Sequence, residues 1–235
     1  MNNIKNIFFI FLVAVIASGC ATTRSFSSVD SLNQSYTKNI STIAVMPPDV
    51  TLSILTAGGA LEPQAEWSIA ALNNIDSSLV VIDNKRESDF VEYLRPDESD
   101  PIYKTIVEHE QLHRAVGQAI LFNKLQYPLP TKKNIFDWTL GDGTKAIKDF
   151  TGADYALFIH VNDSYSSGGR VVLQLAAALL GVGVNGGQQA GFASLIDLSN
   201  GNVVWFNYLQ RGVGDLRTET PALITVELLL DSLPD

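Results

Sequence analysis

Cysteine is almost missing from this chain, with one in 235 residues. That excludes an internal disulfide framework and any cysteine-rich zinc or iron–sulfur centre. Positive charge is scarce as well. Sixteen Lys and Arg stand against 25 Asp and Glu, a formal charge of -9, and no basic block occurs. The clustered cations that phosphate contacts require are therefore absent, which argues against a general nucleic-acid binder. No apolar run reaches the roughly 20 residues needed to cross a bilayer core. No internal repeat or heptad pattern is visible. What remains is 46% hydrophobic and only 17% charged residues, a composition able to bury a core and too apolar for a disordered chain.

The amino terminus has the layout of a secretory signal over residues 1–19. Lys5 supplies the positive start, Ile7 to Ile16 is an unbroken run of ten apolar residues, and Ala17, Ser18 and Gly19 are small. The next residue is the only cysteine, and Ala17-Ser18-Gly19-Cys20 resembles the bacterial lipoprotein lipobox. The resemblance implies that Cys20 is acylated and becomes the new amino terminus. Several acyl chains make anchoring effectively permanent. Ala21, where that family's inner-membrane retention signal usually has Asp, implies sorting to the outer membrane with the domain on its periplasmic face. Loss of Lys5 with the signal leaves 15 positive against 25 negative residues, or -10 for the mature chain. Residues 20–38, rich in Ser, Thr and Asn, read as a lipidated tether, and 39–235 as the periplasmic domain.

Within that domain, Ile40–Met46 reads as a buried strand that Pro47-Pro48 turns out of the sheet. Ala65, Ile69, Leu72 and Ile75 have helical spacing. Asp83–Asp100 is dense in charge and contains Arg95-Pro96, so it reads as a loop or a frayed helix end. Asp100-Pro101 offers an N-cap and a proline at the first helical position, and Ile102, Ile106, Leu112, Val116 and Ile120 carry the helix toward Leu125. A short helix is expected over Gly141–Phe150, ending near Gly152. Tyr155–Val161 reads as a central strand. Residues 190–197 and 203–210 form a hairpin around Ser199-Asn200-Gly201-Asn202, and 219–233 a closing helix. The order predicts a single α/β domain with a mixed sheet flanked by helices.

Three segments carry a further resemblance: Ile43-Ala44-Val45-Met46-Pro47, Gly152-Ala153-Asp154-Tyr155-Ala156-Leu157, and Leu195-Ile196-Asp197-Leu198 through Gly201 to Val204-Trp205. Together they resemble the TolB amino-terminal region and CsgG-like outer-membrane lipoproteins, and small lipoproteins of the GNA type. The resemblance implies an α/β periplasmic fold with assembly, scaffolding or secretion roles, and it supplies no catalytic residues.

The one motif with explicit chemistry is His109-Glu110-Gln111-Leu112-His113. On a helix, H-E-x-x-H sets two imidazoles on one side to hold Zn²⁺, with Glu110 placed to activate water. Val116 and Ala119 stand where the metzincin extension needs Gly and His. Glu108, Glu110 and Arg114 give the stretch the look of a solvated face, so an exposed amphipathic helix without metal is the expectation, and a zinc-dependent peptidase the alternative. His160 with Ser164, Ser166 or Ser167 suggests a triad only loosely, since no G-x-S-x-G elbow is present. Gly181 to Gly187 lacks the Lys-Ser/Thr of a phosphate loop.

Val171–Val184 has one polar residue, Gln174, in fourteen. The expectation is a core helix on the sheet, so that Leu175→Glu would bury an unpaired charge. The alternatives are an interface for a homo-oligomer, or a segment entering the bilayer in a secretion-channel or pore subunit. The sequence as a whole reads as a membrane-anchored binding or assembly module of the cell envelope, without catalysis and without cofactor beyond the lipid on Cys20.

Overall fold

The computed structural model describes residues 21–27, 42–86, 90–91, 93–132 and 135–234. The signal segment and Cys20 lie outside them. The chain forms one α/β domain around a mixed eight-stranded sheet, as the element order predicts. The strands are β1 (Ala21–Ser27), β2 (Ile43–Val45), β3 (Asp49–Leu55), β4 (Leu61–Pro63), β5 (Phe90–Val91), β6 (Tyr155–Ser166), β7 (Gln189–Asp197) and β8 (Val203–Arg211). The helices are α1 (Ala65–Arg86), α2 (Pro101–Leu121), α3 (Thr144–Thr151), α4 (Gly168–Leu179) and α5 (Glu219–Leu229).

The sheet order is β1-β8-β7-β6-β2-β5. β6, β7, β8 and β1 form an antiparallel half, and β2 runs parallel to both β6 and β5. β3 also lies parallel to β6, along the same edge as β2. Pro47-Pro48 therefore does not lead the chain away. Val45 pairs with Leu157 and Asp49 with His160, so three residues, Met46 to Pro48, stand opposite two. This is a one-residue bulge in a parallel pair, an uncommon place for one. The two prolines carry no N–H for a ladder, and Met46 N–H supplies the last bond before them, to the Leu157 carbonyl at 2.9 Å.

β6 alternates strictly. Tyr155, Leu157, Ile159 and Val161 face a core closed by α1 and α5 through Ile75, Leu79, Ile82, Val226 and Leu229. Ala156 and Phe158 face a second core, closed by α2 and α3 through Ile106, Ile120 and Ile147. Both faces are thus covered, as a strand this apolar requires.

Two helices present a different stripe from the one spaced out in the sequence. In α1 the buried line is Ala71, Ile75, Leu79 and Ile82, while Ile69 is exposed. The helix also runs on to Arg86, so the start of the segment read as a loop or frayed helix end is a helix end. In α2 the buried line is Ile106, His109, His113, Gly117 and Ile120, and Leu112 is exposed. Asp100 does cap α2, accepting from Ile102 N–H at 3.0 Å, with Pro101 next. The helical stretch continues as a π turn to Gln126. A second difference concerns Ala21–Ser27, read as tether from its composition. It is an edge strand fully paired with β8, from Ala21 opposite Arg211 to Ser27 opposite Trp205.

Gly117 sets the approach of α2 to the sheet. A Cβ there would meet the Phe192 ring at 2.1 Å. That ring cannot swing aside, because it is stacked on Phe206, at 5.4 Å between centroids, and lies against His113 and His160. Gly117→Ala is expected to destabilise the fold by about 1–3 kcal/mol through overpacking, despite the higher helix propensity of alanine. Urea unfolding of the variant against the parent chain measures this.

Candidate functional site

The H-E-x-x-H histidines are not on a solvated face. His109 and His113 are 8% and 3% exposed, which corrects the expectation of an exposed helix surface. His113 lies flat on Phe158, 5.0 Å between ring centroids, and its Nε2 is 2.9 Å from Ser194 Oγ on β7. His109 donates from Nδ1 to the Thr105 carbonyl at 2.7 Å, and its other edge packs against Gly143. Glu110 points elsewhere, to a bidentate pair with Arg95 Nη2 at 2.6 and 2.5 Å. The three motif residues therefore have three separate occupations. Among the described residues no three His, Cys, Asp or Glu gather in a way that could hold a metal ion.

Burial sets the protonation of this layer. The His113 ring, enclosed by aromatic side chains, has its pKa pushed down to about 3 by desolvation, with His160 adding to the effect. Burial raises the Glu110 carboxyl in spite of Arg95. Asp49, across the bulge, is held below the usual carboxylate range, first by its hydrogen bond to His160. His160 Nδ1 is 2.9 Å from Asp49 Oδ2, and the Asn162 amide is 2.9 Å from Nε2. With Asn162 donating to Nε2, the ring proton sits on Nδ1 and is given to Asp49. Arg114 closes the row at 3.2 Å from Asp49. Pro47, Asp49, Arg95, Glu110 and Arg114 line a groove of about 320 Å³. Ser164 is bonded to Gln188 instead of His160, so the triad suggested by the sequence does not assemble.

A second polar centre, which the sequence does not announce, lies at the end of the sheet where β6 and β8 finish and β7 starts. Asp163, 3% exposed, accepts from Tyr165 Oη at 2.5 Å and from Gln189 Nε2 at 2.9 Å. Gln189 Oε1 in turn accepts from Arg211 Nε at 2.6 Å, and Arg211 Nη2 donates to Thr225 at 2.6 Å. The buried carboxylate and guanidinium are thus joined through one amide. Desolvation raises the Asp163 pKa and lowers that of Arg211. Arg217, paired with Asp215, lies over Tyr165 at 4.0 Å and Trp67 at 4.6 Å. Asp163, Tyr165, Gln189 and Arg217 border an open cleft of about 470 Å³ whose other wall is α4 and the loop after it.

α4 reverses the usual arrangement of a surface helix. Its two polar residues, Arg170 and Gln174, turn toward the protein. Arg170 donates to the Asn185 carbonyl at 2.9 and 2.8 Å and to the Ala57 carbonyl at 3.3 Å, and Gln174 donates to the Val184 carbonyl at 3.2 Å. The apolar residues turn outward. Val172, Leu175, Leu179 and Leu180 are 66%, 64%, 90% and 81% exposed, and no residue of α4 is buried. This overturns the core-helix expectation for Val171–Val184. The loop returns close to β6 at Gly187, where a Cβ would meet the Ser164 carbonyl oxygen at 2.0 Å. Among the described residues no helix is long and apolar enough to cross a membrane.

No family model matches the chain, and no curated protein matches it. Among solved structures it is similar to the PelC dodecamer from Paraburkholderia phytofirmans, with a TM-score of 0.39 and 15% identity over 91% of this chain and 99% of that one. A variant of the same dodecamer gives a TM-score of 0.39 and 16% identity over 90% and 96%. The LpoB C-terminal domain from Salmonella enterica gives a TM-score of 0.26 and 13% identity over 76% and 87%.

The folded His113 stays neutral while the unfolded one binds a proton below its ordinary 6.5. The stability it protects is complete above that pH and is lost as pH falls toward about 3, at up to about 1.4 kcal/mol per pH unit. The Asp49 contribution is lost only below its ordinary 3.8, so His113→Gln should flatten the stability profile between those two values, read by urea midpoints at stepped pH. Leu175→Glu, at an exposed position, should change stability by no more than about 0.5 kcal/mol, read from thermal melts.

Proposed function

We propose that the chain is an envelope lipoprotein, acylated on Cys20 and held at the periplasmic face of the outer membrane, that works by binding and assembly without catalysis. The observation that carries this reading is α4. A folded domain that ties its polar helix residues inward and leaves a row of Leu and Val outward presents a contact surface, since burying each such side chain is worth about 1.5–3 kcal/mol to whatever covers it. The amino-terminal lipobox supports the anchor, and the resemblance to TolB amino-terminal and CsgG-like lipoproteins supports an assembly role. The placement of His113 supports the absence of catalysis. Its ring is committed to Ser194 and Phe158 within the core, where a peptide substrate has no path.

Cys20→Ala should abolish acyl labelling and move the protein out of the detergent phase on phase partitioning. A variant that partitions with membranes like the parent overturns the anchor. Purified protein should carry zinc well below one per chain. An equimolar ion lost in both His109→Ala and His113→Ala would instead favour the zinc-dependent peptidase, with Glu110 as its base.

A further inference from the structure

We infer that α4 is a membrane-docking element, lying on the leaflet that holds the acyl chains of Cys20, so that the sheet end bearing it rests on lipid. The inference rests on the anchor proposed above and names what the exposed helix contacts. Strand register supplies the geometry. Ala21, the residue joined to Cys20, pairs with Arg211, Arg211 with Gln189, and Gln189 with Asp163. The start of β1 and the end of β6 are therefore at one end of the sheet, three strand spacings or roughly 14 Å apart. α4 begins five residues beyond Asp163, at Gly168. The chain leaves the acylated residue where the apolar helix sits.

The surroundings agree with a lipid contact. Leu61, 60% exposed, pairs with Leu55, which pairs with Ser166, and Val213, 46% exposed, follows Arg211. Both belong to the same end. No charged residue occurs between Arg170 and Asp197, and Arg170 itself is turned to the Asn185 and Ala57 carbonyls, so the apolar residues of α4 and its loop bring no charge that must be stripped of strongly bound water. At about 1.5 Å per residue, α4 is about 18 Å long, too short to span a bilayer and suited to lie in the interfacial plane. A second copy of the chain would cover the same leucines, but the acyl chains already hold this end against lipid at high effective concentration.

Acylation consumes the thiol of Cys20, so an added cysteine is the single labelling site in the full acylated chain. Leu179→Cys reports on α4. Asp142→Cys, beside the β7–β8 turn through the Leu140 to Gly201 hydrogen bond, reports on the far end. Each carries a fluorophore in vesicles of phosphatidylethanolamine and phosphatidylglycerol with brominated acyl chains. The Leu179 probe should be quenched several-fold by the brominated chains and shielded from aqueous iodide, and the Asp142 probe should behave oppositely. Adding Leu175→Glu should restore iodide access while acylation and detergent extraction stay unchanged. A Leu179 probe as open to iodide as the Asp142 probe overturns docking. Shielding from iodide without quenching by brominated lipid also overturns it and assigns the surface to a second copy. The mass of the amino-terminal acyl peptide is read on the same preparation, and its absence overturns the anchor separately.

Discussion

Twelve residues of β6 must be buried on two faces and then emerge into a polar cleft, and the molecule is arranged around that demand. The apolar first half, Tyr155 to Val161, needs a helical layer on each side. α1 with α5 supplies one and α2 with α3 the other. One edge of β6 is shared between β2 and β3, the other is taken by β7, and the antiparallel half extends outward to β1. The second half, Asn162 to Ser166, turns polar where coverage by helices thins. There the buried Asp163 accepts from Tyr165 of the same strand and from Gln189 of β7, and α4 begins.

The fate of the histidines shows how facing decides chemistry. H-E-x-x-H specifies spacing along a helix, and that spacing is present in α2 with both imidazoles on one side. The side they share is the core side, between Ile106 and Ile120. A neutral imidazole there serves as an aromatic filler with a hydrogen bond to spare, which Ser194 takes up. Glu110, one position along, falls on the groove side and meets Arg95. The three motif side chains are engaged by three different partners, Thr105, Arg95 and Ser194.

The α/β class, the position of β6, the β7–β8 hairpin, the capped start of α2 and the end of α3 at Gly152 were all legible in the sequence, because capping residues, turn residues and unbroken β-branched runs act locally. Which stripe of α1 and α2 faces inward was not legible. Leu112 and Ile69 look like core residues and His109 and His113 do not, yet packing against Phe192 across Gly117 selects the rotation. β3 was missed because Asp-Val-Thr-Leu-Ser-Ile-Leu follows two prolines, and the bulge that rejoins it to β6 is a tertiary feature. Besides the near pairs Tyr165–Asp163 and Asn162–His160, the Asp163 and Asp49 networks bring together residues 14 to 111 positions apart, which no local pattern announces. In Val171–Val184 composition suggested burial. The informative signal was subtler, namely that Arg170 and Gln174, one turn apart, are the polar residues of α4, and they tie it to Ala57 and to its own following loop.

The three-against-two step at Met46–Pro48 also bears on how the length of this chain can vary. Side chains in a strand alternate, so a residue gained or lost within a regular stretch carries everything beyond it to the opposite face. In β3 that would drive Asp49 into the apolar layer under α1 and expose Leu52. The bulge already holds one surplus residue. A relative lacking one of the two prolines would keep one register with β6 from Ile43 to Leu55, broken only by the missing N–H of the remaining proline, Asp49 would still meet His160, and the wall of the groove beside Arg95 and Arg114 would flatten. Among the described strands, this is a place where a change in length stays local.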